Sequence, residues 1–179
     1  MLQARRIGLR AIEEGDLVEL LRWRNDPRMR RFFRESRELS SSHQHAWFED
    51  VSRRGSTVRM HAIFDLESLA LLGACGLCYL DWVSRSADLS IYIGADNVYI
   101  DEVFAPDAAR VLIDYGFSVL GLHRLWAEVY DYDERKKSLF ADLGFQVDGR
   151  LREHHWDGTG WHDSLIFGLL QPEWTMHDG

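Results

Sequence analysis

The 179-residue chain has no apolar run long enough to span a bilayer, and its first residues lack the apolar core of a signal peptide. It also lacks an excess of positive charge, because it has 21 Lys and Arg against 29 Asp and Glu, which gives a formal net charge of −8. This balance disfavours general nucleic-acid binding, which depends on neutralising phosphates. We therefore expect a cytoplasmic protein with no nucleic-acid and no membrane partner.

Cysteine is scarce as well, with two residues, Cys75 and Cys78, in the stretch GACGLCYL. A redox-active CxxC pair needs a helix N-terminus to lower its thiol pKa, whereas the flanking pattern here indicates a strand. On a strand, a spacing of three sends the two thiols to opposite faces, and no further ligands at zinc-site spacing are evident. We predict structural cysteines and no metal site.

Glycine is missing between Gly94 and Gly116, although this segment reads as a strand end, a loop and a helix start. Such a junction commonly holds a phosphate, because the first N–H groups of a helix have no partner within it. The loop carries Asp101 and Glu102 instead. A carboxylate about 7 Å from a phosphate charge costs roughly 2 kcal/mol at an effective dielectric of 20, unless it points to solvent.

The length and the 46% hydrophobic content suit one globular domain over residues 1–179. Alternating apolar residues predict strands, and apolar residues at helical spacing predict helices. Pro106, a residue suited to the first helical turn, is predicted to open a helix, while Asp133 as N-cap and Gly144 as terminal glycine bound the next helix. The predicted order is strand, two helices, three strands, helix, strand, helix and two strands, which is a mixed α/β domain.

This order and five motifs together resemble the GNAT superfamily of acetyl-CoA-dependent N-acetyltransferases, and within it the branch of ribosomal-protein alanine and amino-sugar acetyltransferases. The motifs are WRNDPRMR (23–30), ADLSIYIG (87–94), DYGF…LGLHRL (114–125), LGF (143–145) and DG…WHDSLIFGLL through Trp174. The resemblance implies the GNAT fold: a central mixed, mostly antiparallel sheet with a splayed pair of parallel strands, and helices on both faces. It also implies acetyl-CoA as co-substrate, bound where those strands part.

The resemblance further implies which residues contact acetyl-CoA. Backbone groups from Ile91 to Ile93 would pair with the pantetheine arm, and amides ahead of Pro106 would hold the pyrophosphate. The implied cofactor contacts are Ile91, Tyr92, Ile93, Val103, Phe104, Ala105, Asp107, Asp133 and Phe140. Family members carry Arg/Gln-x-x-Gly-x-Gly/Ala in this loop, whereas this chain has Ile-Asp-Glu-Val-Phe-Ala at 100–105, of which Ala105 alone fits.

Acetyl transfer to an amine needs a neutral nucleophile and often an acid for the leaving thiolate. Asp88 matches a glutamate that many of these relatives place beside the substrate amine, so we predict it as the base; an aspartate in solvent at a strand end is the alternative. Phe140 stands where many relatives have a tyrosine acid. The hydroxyls of Tyr132 and Ser138, with Tyr130 nearby, are then the candidate proton donors, with packing or capping as the alternative.

The first two helices form the wall of the acceptor pocket in this family, so Trp23, Arg24 and Asn25 are predicted to line it. The seven arginines between residues 22 and 37 are either a solvated face or a patch for an anionic substrate. The expected acceptor is a small-molecule amine or a protein N-terminus, and relatives often pair as homodimers through the C-terminal strands. Two alternatives stay open: a non-catalytic GNAT-like binding domain, and an acyltransferase that uses another acyl carrier.

Overall fold

The computed structural model describes residues 2–175, which form eight strands and five α-helices. The predicted order of elements is confirmed, with two short additions at β1 and α2. Each helix in this range is too short or too polar to cross a membrane. In chain order the elements are β1 (Leu2–Gln3), β2 (Ile7–Ala11), α1 (Leu17–Asn25), α2 (Pro27–Arg30), α3 (Ser41–Ser52), β3 (Arg59–Asp65), β4 (Leu71–Asp81), β5 (Ser86–Ile93), α4 (Phe104–Asp114), β6 (Arg124–Tyr130), α5 (Glu134–Asp142), β7 (Gln146–Trp156) and β8 (Trp161–Leu170).

The strands form one sheet in the order β1-β2-β3-β4-β5-β6-β8-β7. Neighbouring strands run antiparallel except β5 and β6, which are parallel. Their pairing is short, running from Ser86 opposite Arg124 to Asp88 opposite Trp126. Beyond Asp88 the two strands part, while β5 keeps β4 as its partner as far as Ile93. The predicted mixed sheet with a splayed parallel pair is therefore confirmed.

The core lies where α1 and α4 pack on the sheet. The face of α4 that carries Ala105, Ala109 and Leu112 is fully buried, at the three-to-four-residue spacing of an amphipathic helix. Trp23 of α1 is 2% exposed and covers the end of β5. A Cβ on Gly94 would come within 1.9 Å of the Trp23 ring, so this position admits no side chain.

One predicted helix start is wrong: α4 begins at Phe104 rather than at Pro106. The carboxylate of Asp101 accepts hydrogen bonds from the backbone N–H of Phe104 (3.0 Å) and of Ala105 (2.7 Å). Because these amides are satisfied by a side chain, the helix can begin before its proline, whose missing N–H costs nothing in the first turn. The prediction for α5 is confirmed, since Asp133 accepts from the Lys136 N–H at 3.0 Å and Gly144 has φ +85°.

The two cysteines are free thiols on β4. Cys75 is fully buried, and Cys78 is partly buried with its Sγ 3.8 Å from the Met60 Sδ. Burial raises the pKa of both thiols, to about 12 for Cys78. Both are therefore protonated at neutral pH, as expected of structural cysteines.

Candidate active site

A cavity of about 330 Å³ opens beside the point where β5 and β6 part. Both strands contribute to it, since Asp88 and Ser90 come from β5 and Glu128 and Tyr130 come from β6. We call this space the acceptor cavity. Its remaining lining residues come from α1, the segment after α2, α3, the entry to β3, β3, β4, β5 and α5. They are Arg24, Phe32, Phe33, Arg34, Glu35, Trp47, Val58, Met60, Cys78, Tyr79, Leu89, Tyr92 and Lys136.

Arg34 holds two carboxylates of the acceptor cavity together. Its two Nη atoms donate to the two oxygens of Asp88 at 3.0 and 3.1 Å, and its Nε donates to Glu128 at 3.1 Å. The guanidinium carbon also lies 5.7 Å from the ring centroids of both Tyr79 and Trp126. Burial lowers the pKa of Arg34, but the hydrogen bonds and charge of Asp88 outweigh it and raise that pKa above its usual value.

The predicted base, Asp88, is 2% exposed and accepts from Arg34 with both oxygens. An incoming amine would have to share these oxygens with Arg34 or displace it. Glu128 has a second neighbour in His154, whose Nε2 lies 3.7 Å from its carboxylate and whose side chain is 52% exposed. His154 therefore lies between the cavity carboxylate Glu128 and solvent.

Among the candidate hydroxyls, Tyr130 lines the acceptor cavity, whereas Tyr132 and Ser138 do not. The Tyr132 hydroxyl donates to the backbone oxygen of Arg31 at 2.7 Å, and Ser138 lines a separate cleft between α4 and α5. Burial, with the charge of Glu128, raises the pKa of Tyr130 to about 12. Tyr130 is thus a protonated hydroxyl in the cavity at neutral pH.

The three residues predicted to line the acceptor pocket lie in three different environments. Arg24 lines the cavity, with its guanidinium carbon 4.9 Å from the centroid of the Phe33 ring. Trp23 is in the core, and Asn25 is used for loop structure, because its side chain bonds both the N–H and the C=O of Leu39 at 2.8 Å. Of the three, Arg24 alone contacts the cavity.

Lys136 is a cavity residue that the sequence did not indicate. It is buried on the first turn of α5, and its Nζ donates to the Tyr99 hydroxyl at 2.9 Å. Burial lowers the pKa of Lys136 and raises that of the neighbouring Asp133, while their mutual attraction opposes both shifts. In the sequence, the polar run ERKKS is typical of a solvent-exposed helix face. The one feature that could have drawn attention to Lys136 is its place three residues after the N-cap Asp133.

The splayed strands fit the amide-bearing arm of an acetyl donor. Beyond Asp88, the edge of β5 facing β6 has no strand partner over Leu89–Ile93. Within that stretch, the Ile93 N–H already donates to the Tyr99 carbonyl at 2.8 Å. Of the predicted backbone contacts Ile91 to Ile93, those around Ile91 and Tyr92 are consequently the ones that could pair with such an arm.

The start of α4 fits a diphosphate less well, because Asp101 already binds the Phe104 and Ala105 amides. A cleft of about 840 Å³ between α4 and α5 adjoins this point. Its acidic lining residues, Asp101, Glu102, Asp107, Glu134 and Asp142, outnumber its basic ones, Arg110 and Arg135. A phosphate would compete with the Asp101 carboxylate for the two amides and would meet further negative charge.

The other predicted cofactor contacts lie around this cleft or under it. Val103 is 46% exposed and lines the cleft, as does Asp107, which pairs with Arg110 at 3.4 Å. Ala105 and Phe140 are fully buried, and Phe140 packs on Phe145 and Phe167 in the core. A buried phenyl ring has no proton to give to a leaving group.

A mixed sheet whose parallel pair parts beside a carboxylate-lined cavity is the architecture of the GNAT acetyltransferases. Residues 6–146 match the family model of the acetyltransferase (GNAT) domain, so the chain belongs to this family. It is an acetyl-CoA-dependent N-acetyltransferase, since acetyl-CoA is the donor that GNAT acetyltransferases use.

Three similar proteins extend over nearly the whole chain. The uncharacterized N-acetyltransferase p20 of Bacillus licheniformis is 27% identical over 177 residues, which are 97% of this chain and 98% of p20. The putative ribosomal N-acetyltransferase YdaF of Bacillus subtilis is 25% identical over 94% of this chain and 93% of its own. The crystal structure of spermidine N-acetyltransferase from Vibrio cholerae in complex with CoA and spermine has a TM-score of 0.85 and 23% identity, and covers 93% of this chain and 96% of that one.

Proposed function

We propose that this N-acetyltransferase acetylates a primary amine that enters the acceptor cavity and meets the acetyl group where β5 and β6 part. The observation that carries this proposal is the convergence of Asp88, Glu128 and Tyr130 on one cavity at the strand split. A volume of about 330 Å³ suits a small amine or the first residue of a polypeptide. The relatives support both acceptor types, because one solved relative binds spermine and another is named a putative ribosomal acetyltransferase.

The chain's own residues supply binding and proton transfer in this proposal, while bound acetyl-CoA supplies the activated acetyl group. The backbone around Ile91 holds the donor's arm, with Asp133 at the α5 N-terminus beside it. Asp88 and Glu128 orient the amine, and its lost proton passes to the Glu128 carboxylate, which lies 3.7 Å from the exposed His154. Tyr130, protonated at neutral pH, is the hydroxyl placed to donate a proton to the leaving group.

The test is amine-dependent release of free CoA thiol, with the acetylated product identified by mass spectrometry. Spermidine, an amino sugar and a peptide with an N-terminal alanine sample the acceptor types of the relatives and of the expected branch. We expect at least one of these amines to raise thiol release above the amine-free rate. If acetyl-CoA binds but no amine is acetylated, the proposal fails and a non-catalytic binding domain takes its place.

Substitutions in the cavity assign the roles. Tyr130→Phe, which removes the proton donor, is expected to lower kcat about 100-fold or more. Asp88→Asn, which removes a carboxylate that orients the amine, is expected to lower kcat as well, and both variants should keep their affinity for acetyl-CoA. Tyr132→Phe is the matched control, since its hydroxyl bonds a backbone oxygen outside the cavity. Unchanged turnover in Asp88→Asn would remove Asp88 from the mechanism.

We also propose that a second copy of the chain pairs along β7. This strand forms one end of the sheet, and Leu151 and Trp156 on it are 40% and 51% exposed. An exposed edge strand with apolar side chains is a surface that proteins usually cover. Sedimentation velocity should show a dimer that Trp156→Glu dissociates; a monomer at micromolar concentration would contradict the proposal.

A further inference from the structure

The acceptor cavity contains a complete site for an organic cation, which the chain fills with its own Arg34. Two carboxylates, Asp88 and Glu128, bind the guanidinium at 3.0 to 3.1 Å, and the rings of Tyr79 and Trp126 flank it at 5.7 Å. Paired acids and aromatic faces are the groups that recognise ammonium and guanidinium ions. Because the reacting amine must already share these two carboxylates with Arg34, a second positive charge on the substrate finds neither of them free.

Arg24, on the same cavity, is in the opposite situation. Within residues 2–175, no carboxylate forms a salt bridge with it, and its buried Nε has no hydrogen-bond partner. Its guanidinium carbon lies 4.9 Å from the centroid of the Phe33 ring. The nearby Glu35 is bound by Arg37 at 2.7 Å. A planar guanidinium with open donors is suited to a carboxylate or a phosphate.

Resting on the proposed function, we infer that the acceptor is an amine that also carries an anionic group, which Arg24 binds. Arg34 is then the residue that sets specificity, because it occupies Asp88 and Glu128 and so disfavours polyamines. The two arginines act together: Arg34 offsets one of the two negative charges of Asp88 and Glu128, and Arg24 adds a positive charge that forms no salt bridge within residues 2–175.

Matched acceptors of equal length test the inference in the intact protein. Butylamine, 4-aminobutanoate and butane-1,4-diamine differ only in their distal group, and propylamine, β-alanine and propane-1,3-diamine form a shorter set. We expect kcat/KM for the amino acids to exceed that of the alkylamines by about tenfold, the effect of one charge-assisted hydrogen bond, with the diamines lowest.

Two variants assign the effect to the arginines. Arg24→Gln should lower kcat/KM for the amino acids about tenfold more than for the alkylamines. Arg34→Gln should raise the diamine-to-alkylamine ratio about tenfold, by freeing Asp88 and Glu128 for a second ammonium. Arg53→Gln, at an exposed ion pair at the end of α3, is the control for loss of an arginine. Should Arg34→Gln fail to fold, the wild-type panel and Arg24→Gln still decide the question.

The outcomes separate the two proposals. If neither set, and none of spermidine, the amino sugar and the alanine peptide, releases CoA thiol, the proposed function itself fails. If one of those three acceptors is acetylated while no amine in either set is, the inference is wrong and the proposed function stands. If the diamines are acetylated at least as well as the amino acids, the inference is wrong while the proposed function stands. If the amino acids are preferred but Arg24→Gln leaves that preference unchanged, Arg24 is not the anion site and the inference is overturned.

Discussion

Arg34 and Asp88 lie 54 residues apart in sequence and form a two-pronged ion pair, with Nη to Oδ distances of 3.0 and 3.1 Å. The pair fastens the irregular segment after α2 to strand β5. Asn25 fastens the far end of the same segment through its two hydrogen bonds to Leu39. One wall of the acceptor cavity is therefore held in place at both ends by polar contacts.

A double-mutant cycle measures how strongly this pair couples. We expect Arg34→Gln and Asp88→Asn to show a coupling free energy of about 1–3 kcal/mol in urea unfolding, because each alone strands a charge. The value is expected toward the low end, since the Arg34 side chain is 39% exposed. The exposed pair Arg53 and Asp50 is the control, with about 0.5 kcal/mol or less. Additive effects of the two substitutions would contradict a direct pair.

Asp101→Ala is expected to weaken the fold and strengthen acetyl-CoA binding at once. The substitution removes the cap on Phe104 and Ala105, a loss of about 1 kcal/mol of stability, and frees the two amides for a phosphate. Glu102→Gln is the control, because it removes a neighbouring charge and leaves the cap. Calorimetric titration with acetyl-CoA gives the two Kd values. If Asp101→Ala binds no more tightly than wild type, these amides do not contact the donor.

Gly94→Ala should destabilise the protein by about 1–3 kcal/mol, as overpacking of a core does. The new methyl group would lie 1.9 Å from the Trp23 ring, which is itself 2% exposed and cannot move into open space. Gly149→Ala is the control, since nothing lies within 4 Å of its added Cβ. Urea unfolding compares the two variants. Equal stability of Gly94→Ala and Gly149→Ala would show that Trp23 has room to shift.

His61 should make the fold less stable in mild acid. Burial, with the charge of Arg59 next, lowers its pKa below the ordinary 6.5. As the pH falls below about 6.5, the unfolded chain takes up a proton that the folded protein refuses, so the free energy of unfolding decreases until the folded pKa is reached. Between about pH 7.5 and pH 5.5 the free energy of unfolding should therefore fall, by no more than about 1.4 kcal/mol per pH unit.

His61→Phe checks this pH dependence, because phenylalanine keeps a ring against Tyr115 and does not titrate. The variant is expected to lose less stability than wild type between the two pH values. His45→Phe, at an exposed position on α3, is the control. If His61→Phe and wild type lose the same amount, His61 is accessible to protons in the folded state.

The sequence predicts most of the fold because local spacing decides which side of each element is buried. The strand prediction for ADLSIYIG and the Asp133 and Gly144 boundaries of α5 depend on neighbouring residues alone. The start of α4 was misplaced because Asp101 could either face solvent or cap the helix, and its charge does not say which.

The residues of the site are harder to predict from the sequence than the secondary structure is. Asp88 and Arg24 were named from the sequence and do line the acceptor cavity, while their roles remain predictions. The partner of Asp88, however, is one of seven arginines between residues 22 and 37 that look alike in sequence, and it lies in a distant irregular segment. Lys136 could not be predicted as a cavity residue either, because a lysine in a polar helix gives no local sign that its side chain is buried. Both facts depend on tertiary packing, which periodicity does not report.

The most direct test of where the chemistry takes place is a crystal structure of the protein with acetyl-CoA. The account predicts density for the donor between β5 and β6, with its arm along the backbone around Ile91 and its acetyl group at the mouth of the acceptor cavity. A donor bound elsewhere, with the gap beyond Asp88 still closed by side chains, would contradict it.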